Sequence, residues 1–148
     1  MLKHVKAIVT GGTKGIGLSI VKSLVDQQAS IVVCSRSQQD VDQAIKSLDN
    51  KIFGVTADIS SYQDCQKLIK FANQKLKGIN VLINNAGIYG PIGPLENTDQ
   101  LDWQKTIETN LIGTLNCTKL VIPLMKKNKS GRIINLCGAG VGAKTMPR

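Results

Sequence analysis

The stretch Thr10-Gly11-Gly12-Thr13-Lys14-Gly15-Ile16-Gly17 limits the fold more than any other part of the chain. An apolar run over 5–9 leads into it, and a helical apolar pattern over 16–25 leads out. Strand, glycine turn and helix, in that order, set backbone N–H groups and a helix N-terminus where a phosphate can bind. Gly11 can take the angles of a tight turn, Gly15 lets the main chain approach a pyrophosphate, and Gly17 lets the new helix pack on the strand. Two rival motifs fail. A nucleotide triphosphatase loop begun at Gly12-x-x-x-x-Gly17 would continue with Lys and then Ser or Thr, where this chain has Leu18-Ser19. The G-x-G-x-x-G dinucleotide fingerprint fails because Lys14 lies two residues after Gly12. What remains is G-x-x-x-G-x-G, which a plain turn could also supply, so the rest of the chain decides.

That rest alternates strand and helix. The β-branched run 31–34 is suited to a strand buried on both faces, and Val41, Ala44, Ile45 and Leu48 give 40–48 a helical spacing. A third strand is expected over 52–57. Ser60 or Ser61, with Gln63 or Asp64 three residues on, reads as a capping box before a helix with the stripe Cys65, Leu68, Ile69, Ala72 and Leu76, ended by Gly78. The fourth strand is 81–83, followed by a Gly- and Pro-rich loop over 87–94. One long helix is expected over 99–125, bent by Pro123, and a fifth strand over 132–137. This alternation predicts an α/β, Rossmann-like doubly wound parallel sheet of five strands, in the order 3-2-1-4-5. A crevice would open between the first and fourth strands, where the order reverses.

At 148 residues the chain suits one domain, 1–148. No apolar stretch approaches the roughly 20 residues of a membrane span, and no signal peptide precedes the first strand, so a cytoplasmic location without membrane contact is expected. The net charge of +9 invites nucleic acid, but only 3% of residues are aromatic, and the densest basic run, 126–129, fits the solvated end of a helix. No nucleic-acid partner is expected. Cys34, Cys65, Cys117 and Cys137 are widely spaced and only His4 could join them, so no metal site is expected and the cysteines read as reduced thiols.

With Thr10 included, the glycine stretch resembles the Thr-Gly-x-x-x-Gly-Ile-Gly cofactor motif of the short-chain dehydrogenase/reductase family. Asn84-Asn85-Ala86-Gly87 at the end of the fourth strand, Asn110-Leu111-Ile112-Gly113 in the long helix and the segment from Gly131 to Gly138 resemble further family segments. The resemblance implies a nicotinamide cofactor held by Gly11, Gly12, Thr13, Lys14, Gly15, Ile16 and Gly17. It extends the site to Asp58 and Ile59 at the adenine and to Asn85, Ala86 and Gly87 under the ribose. The second strand ends in Cys34-Ser35-Arg36, without the acid that would accept from free ribose hydroxyls. Ser35, Arg36 and Lys14 there favour NADP(H) over NAD(H), the last two converging on the 2′-phosphate.

Of the family's catalytic groups, the resemblance assigns Asn110 to a proton relay through a held water, and it places Gly138 where the catalytic Ser would stand. The Tyr-x-x-x-Lys pair would fall beyond Arg148. Neither tyrosine supplies it here, since Tyr62 is followed at the fourth position by Gln66 and Tyr89 by Gly93. The expectation is the cofactor-binding portion of an NADP-dependent oxidoreductase acting on a small carbonyl or alcohol, inactive alone and oligomeric when complete. The alternative is a truncated, non-catalytic relative that binds a nucleotide or a partner. On either reading the sheet is incomplete on its C-terminal side, leaving the fifth strand as an apolar edge.

Overall fold

The computed structural model describes residues 1–138. Five parallel strands form one sheet: β1 (Lys6–Thr10), β2 (Ser30–Ser35), β3 (Phe53–Thr56), β4 (Val81–Asn84) and β5 (Arg132–Asn135). Their order is β3-β2-β1-β4-β5, as the sequence predicts. Consecutive strand residues point to opposite faces, and both faces are buried. Ile8, Val32, Cys34 and Leu82 therefore join one core, while their neighbours Val9, Ile31, Val33 and Ile83 join the other. A strand covered on both sides needs apolar residues at every position, which is why 31–34 reads as a continuous apolar run.

Among the described residues two helices cover each face. On one side, α1 (Gly15–Asp26) and α2 (Gln38–Ser47) bury Val21 and Ala44 against Val9 and Val33. On the other, α3 (Tyr62–Leu76) and the later helix α5 (Gly113–Lys127) bury Leu68, Ala72, Cys117 and Val121 against Ile8, Val32 and Leu82. Each fully buried Leu, Ile or Val contributes about 1.5–3 kcal/mol, so the two stripes hold the layers together.

The caps show where helices begin. Ser37 caps α2, its Oγ accepting from the Asp40 N–H at 3.3 Å, so the helix begins at Gln38, two residues earlier than the apolar spacing suggests. Ser61 caps α3 by accepting from the Asp64 N–H, but the return arm goes elsewhere: Asp64 Oδ2 accepts from the Asp58 N–H at 3.2 Å. That bond first, and Lys67 second, hold the Asp64 carboxyl below its usual pKa. Lys77 closes α3 in the left-handed region, with Gly78 following at φ +116°.

The long helix expected over 99–125 is divided. A 3₁₀ turn, Leu95–Asn97, precedes α4 (Gln100–Ile107), a π turn occupies Glu108–Ile112, and α5 runs on to Lys127 through Pro123. The interruption lies at Asn110 rather than at Pro123. β5 also stops at Asn135, two residues before the expected end, although the Leu136 N–H still donates to the Asn84 carbonyl. Among the described residues β5 is an edge strand, with Ile134 and Leu136 exposed.

Candidate functional site

Beyond the C-terminal ends of β1 to β4 lies a cleft of about 630 Å³, within the range of about 300–1,000 Å³ typical of small-molecule sites. Its rim and floor come from turns that the sheet order brings together. The turn after β1 supplies Gly11, Thr13 and Lys14, and the start of α1 adds Gly15, Ile16 and Gly17. Gly11 adopts φ +62° and Gly15 φ +51°, angles at which a side chain is strained. Around Gly15 a Cβ would meet nothing within 4 Å, so the bare backbone faces open cleft at the start of α1. That cradle, with the free N–H groups of a helix N-terminus, fits a pyrophosphate.

The other two glycines serve packing. A Cβ on Gly17 would overlap the Gly11 carbonyl and the Asn85 amide, so α1 presses on the turn itself. Gly12 stands behind the cleft wall, where a Cβ would lie 2.7 Å from Val33 Cγ1.

The floor is latched by Thr10 and two asparagines. Thr10 is fully buried, and its Oγ1 accepts from the N–H groups of Asn85 and Ala86, both at 3.1 Å. In return Asn85 Nδ2 donates to the carbonyls of Thr10 and Gly11, at 2.9 and 3.0 Å. Asn84 reaches the other way, donating to Asn135 Oδ1 at 2.8 Å and Thr118 Oγ1 at 3.2 Å. Neighbouring amides thus join β4 to β1 on one side and to β5 and α5 on the other. Ala86 and Gly87 line the cleft without bulk. Sequence reasoning leaves Thr10 as a motif letter; an apolar-strand residue with a buried hydroxyl is the signal that it has partners nearby.

The adenine-side residues sit where β3 ends. Asp58 and Ile59 both line the cleft, and Asp58 Oδ1 accepts from the N–H and the Oγ of Ser60, at 2.9 and 2.7 Å. Ile59 is buried, and Gly113 lets the start of α5 lie against it, since a Cβ there would be 2.7 Å from Ile59 Cδ1. Cys34 closes the floor at the end of β2, where burial pushes its thiol up to about 12. Deeper in the same core, Cys65 and Cys117 lie 3.6 Å apart at sulfur, and their hydrogen bond together with burial raises Cys117. Neither Cys34 nor this pair is accessible as a nucleophile.

At the end of β2, Ser35 and Arg36 line the cleft as the sequence suggests, but the charge balance differs. Lys14 Nζ pairs with Asp40 Oδ2 at 2.8 Å, and Asp40 lines the same cleft from the first turn of α2. An acid therefore does stand at this corner, four residues past Arg36. Residues 34–36 alone do not reveal it, because apolar spacing starts the helix at Asp40 itself, whereas the Ser37 cap brings Asp40 round to the cleft.

Asn110 and Gly138 lie outside the cleft lining. Asn110, in the π turn, spends its amide on one backbone unit: Oδ1 accepts from the Ile88 N–H and Nδ2 donates to the Ile88 carbonyl, both at 2.9 Å. It pins the loop after β4. Gly138 is exposed, and a Cβ there would meet nothing within 4 Å. The expected Tyr-x-x-x-Lys falls outside the described residues.

A parallel sheet reversing at β1 and β4, with a glycine cradle at the reversal, defines a doubly wound dinucleotide-type fold. The family model for short chain dehydrogenase matches residues 5–147, and the chain belongs to that family. It is 45% identical over 133 residues to dehydrogenase/reductase SDR family member 4 of Caenorhabditis elegans, covering 86% of this chain and 51% of that protein. It is 32% identical over 155 residues to the chloroplastic chlorophyll(ide) b reductase NOL of Oryza sativa subsp. japonica, covering 100% of this chain and 45% of that one. An actinorhodin polyketide ketoreductase crystallised with NADPH superimposes with a TM-score of 0.89 at 30% identity, over 97% of this chain and 57% of its own. The chain spans about half the length of the curated relatives it matches. Among the described residues no helix is long and apolar enough to cross a membrane.

Proposed function

We propose that this chain is the cofactor-binding portion of an NADP-dependent oxidoreductase acting on a small carbonyl or alcohol. The observation that carries the reading is the open backbone at Gly15 beside Arg36 and Lys14 in one cleft. Family membership and an NADPH-bound structural relative support it. When bound, a nicotinamide supplies hydride transfer to or from carbon.

The chain's own residues bind and orient. Gly11 to Gly17 would receive the pyrophosphate on backbone N–H groups, and Asp58 and Ile59 would receive the adenine. Arg36 would meet the 2′-phosphate with its planar fork of donors. Asn85, Ala86 and Gly87 would support the ribose next to the nicotinamide. Asn110, by fixing Ile88, would hold the wall beside that ribose.

Calorimetric titration with NADPH and NADH tests the reading. NADPH should bind more tightly by about 1.5–3 kcal/mol, the worth of a charge-assisted bond, and Arg36→Ala should remove the difference. Equal affinities in the natural chain, unaltered by Arg36→Ala and by substitution of Asp40, would overturn it.

A further inference from the structure

We infer that Asp40 is a specificity-determining residue that narrows the discrimination between 2′-phosphorylated and unphosphorylated nucleotides by holding Lys14 and leaving a fixed negative charge at the phosphate corner. The inference rests on the proposed nucleotide reading of the cleft and concerns how that site is tuned.

The two members of the pair are unequal. The Lys14 side chain is 71% exposed, on the flexible stem of a lysine, and the Asp40 side chain only 20%. Asp40 sits in the first turn of α2, its own N–H bonded to Ser37 Oγ, and the Ser37 N–H is bonded in turn to Ser35 Oγ at 3.4 Å. Its carboxylate also lies at the positive end of a ten-residue helix, whose dipole attracts a negative charge. Lys14 is the freer of the two, while Asp40 is anchored through its backbone in the first turn of α2.

Four charged residues among those described line the cleft: Lys14 and Arg36 against Asp40 and Asp58. With Lys14 neutralised at 2.8 Å, Arg36 is the cation left to attract a phosphate among these four. A 2′-phosphate entering there must share Lys14 with a carboxylate that stays in place and repels it. A free 2′-hydroxyl meets no such opposition, because it can donate to the same carboxylate. Asp40 therefore penalises the phosphorylated ligand and not the other. At separations of several ångströms in a half-open cleft, one such charge changes an equilibrium on the order of tenfold.

The test uses adenosine 2′,5′-bisphosphate and 5′-AMP, titrated calorimetrically into the full-length protein and its variants. Asp40→Asn should widen the affinity ratio in favour of the bisphosphate about five- to tenfold, by tightening the bisphosphate rather than by weakening 5′-AMP alone. The gain should shrink as salt rises, as a structural effect would not. Asp40→Ser gives a second variant that can still occupy the first turn, and an unchanged unfolding midpoint shows that each remains folded. A ratio unchanged or narrowed in both folded variants overturns the inference. If the natural chain prefers the bisphosphate and Arg36→Ala abolishes that preference, while Asp40→Asn leaves the ratio alone, this inference fails and the cofactor reading stands. If the bisphosphate gains nothing over 5′-AMP in the natural chain, in Arg36→Ala or in Asp40→Asn, both fail.

Discussion

Thr10→Val removes one hydroxyl at nearly constant shape and isolates the latch beneath the cleft. In the natural chain Thr10 Oγ1 accepts two backbone N–H bonds at 3.1 Å and makes a longer donation, 3.4 Å, to the Ile83 carbonyl. The valine methyl can accept neither. A buried donor left unpaired costs about 1–3 kcal/mol, and since Asn85 and Ala86 are half-buried the lower end applies to each. The expected loss is about 2–3 kcal/mol. With a urea dependence of about 1–3 kcal/mol per molar, the unfolding midpoint should fall by about 1 M. Fluorescence of Trp103 and far-ultraviolet dichroism, followed together, would show whether the transition stays cooperative. Thr10→Ser keeps the oxygen and should recover most of the loss. The Val variant should also bind nucleotide more weakly, because its floor is released. The reasoning is refuted if Val lies within about 0.5 kcal/mol of the natural chain, or if Ser falls as far as Val.

Gly17→Ala should destabilise the protein by about 1–3 kcal/mol and abolish nucleotide binding, because the added methyl overlaps the Gly11 carbonyl and the Asn85 amide. An alanine inside a helix otherwise gains about 1 kcal/mol over glycine, so a rise in melting temperature would contradict the packing described. For Cys34, the folded-state value of about 12 stands above its ordinary 9.0, so the folded form holds the thiol proton more tightly than the unfolded form. Its contribution is complete below pH 9 and disappears as pH rises toward 12, about 4 kcal/mol over that window. Urea midpoints measured between pH 8 and pH 11 should fall steeply, and Cys34→Ala should flatten the decline.

Strand order was readable because burial on both faces leaves a plain trace: the core-forming pairs Ile8 with Val9 and Val32 with Val33 stand side by side in the chain. The glycine positions were readable for a different reason, since an empty side chain at a turn has few other uses. What escaped was direction. Asp40 looked like the first residue of a helix, and its reach into the cleft depends on a cap three residues earlier, at Ser37, whose spacing to Asp40 matches a capping box. The division of 99–125 escaped because apolar spacing does not register a widened turn. Asn110 and Gly113 were the only marks of it, and the first acts through Ile88, 22 residues away in the chain.

The amides of Asn84 and Asn85 act as rulers. In an open sheet the connections on either side of the reversal run in opposite directions, so no loop ties the two strands together at its mouth. Here β4 and β1 are already paired in the sheet, and at the mouth the Asn85 amide continues that pairing, with its nitrogen 2.9 Å from the Thr10 carbonyl. A gap gauged in this way has its width before anything enters it. Capture of a nucleotide then draws little free energy into bringing the two half-sheets together, and more of the contact energy is expressed as affinity.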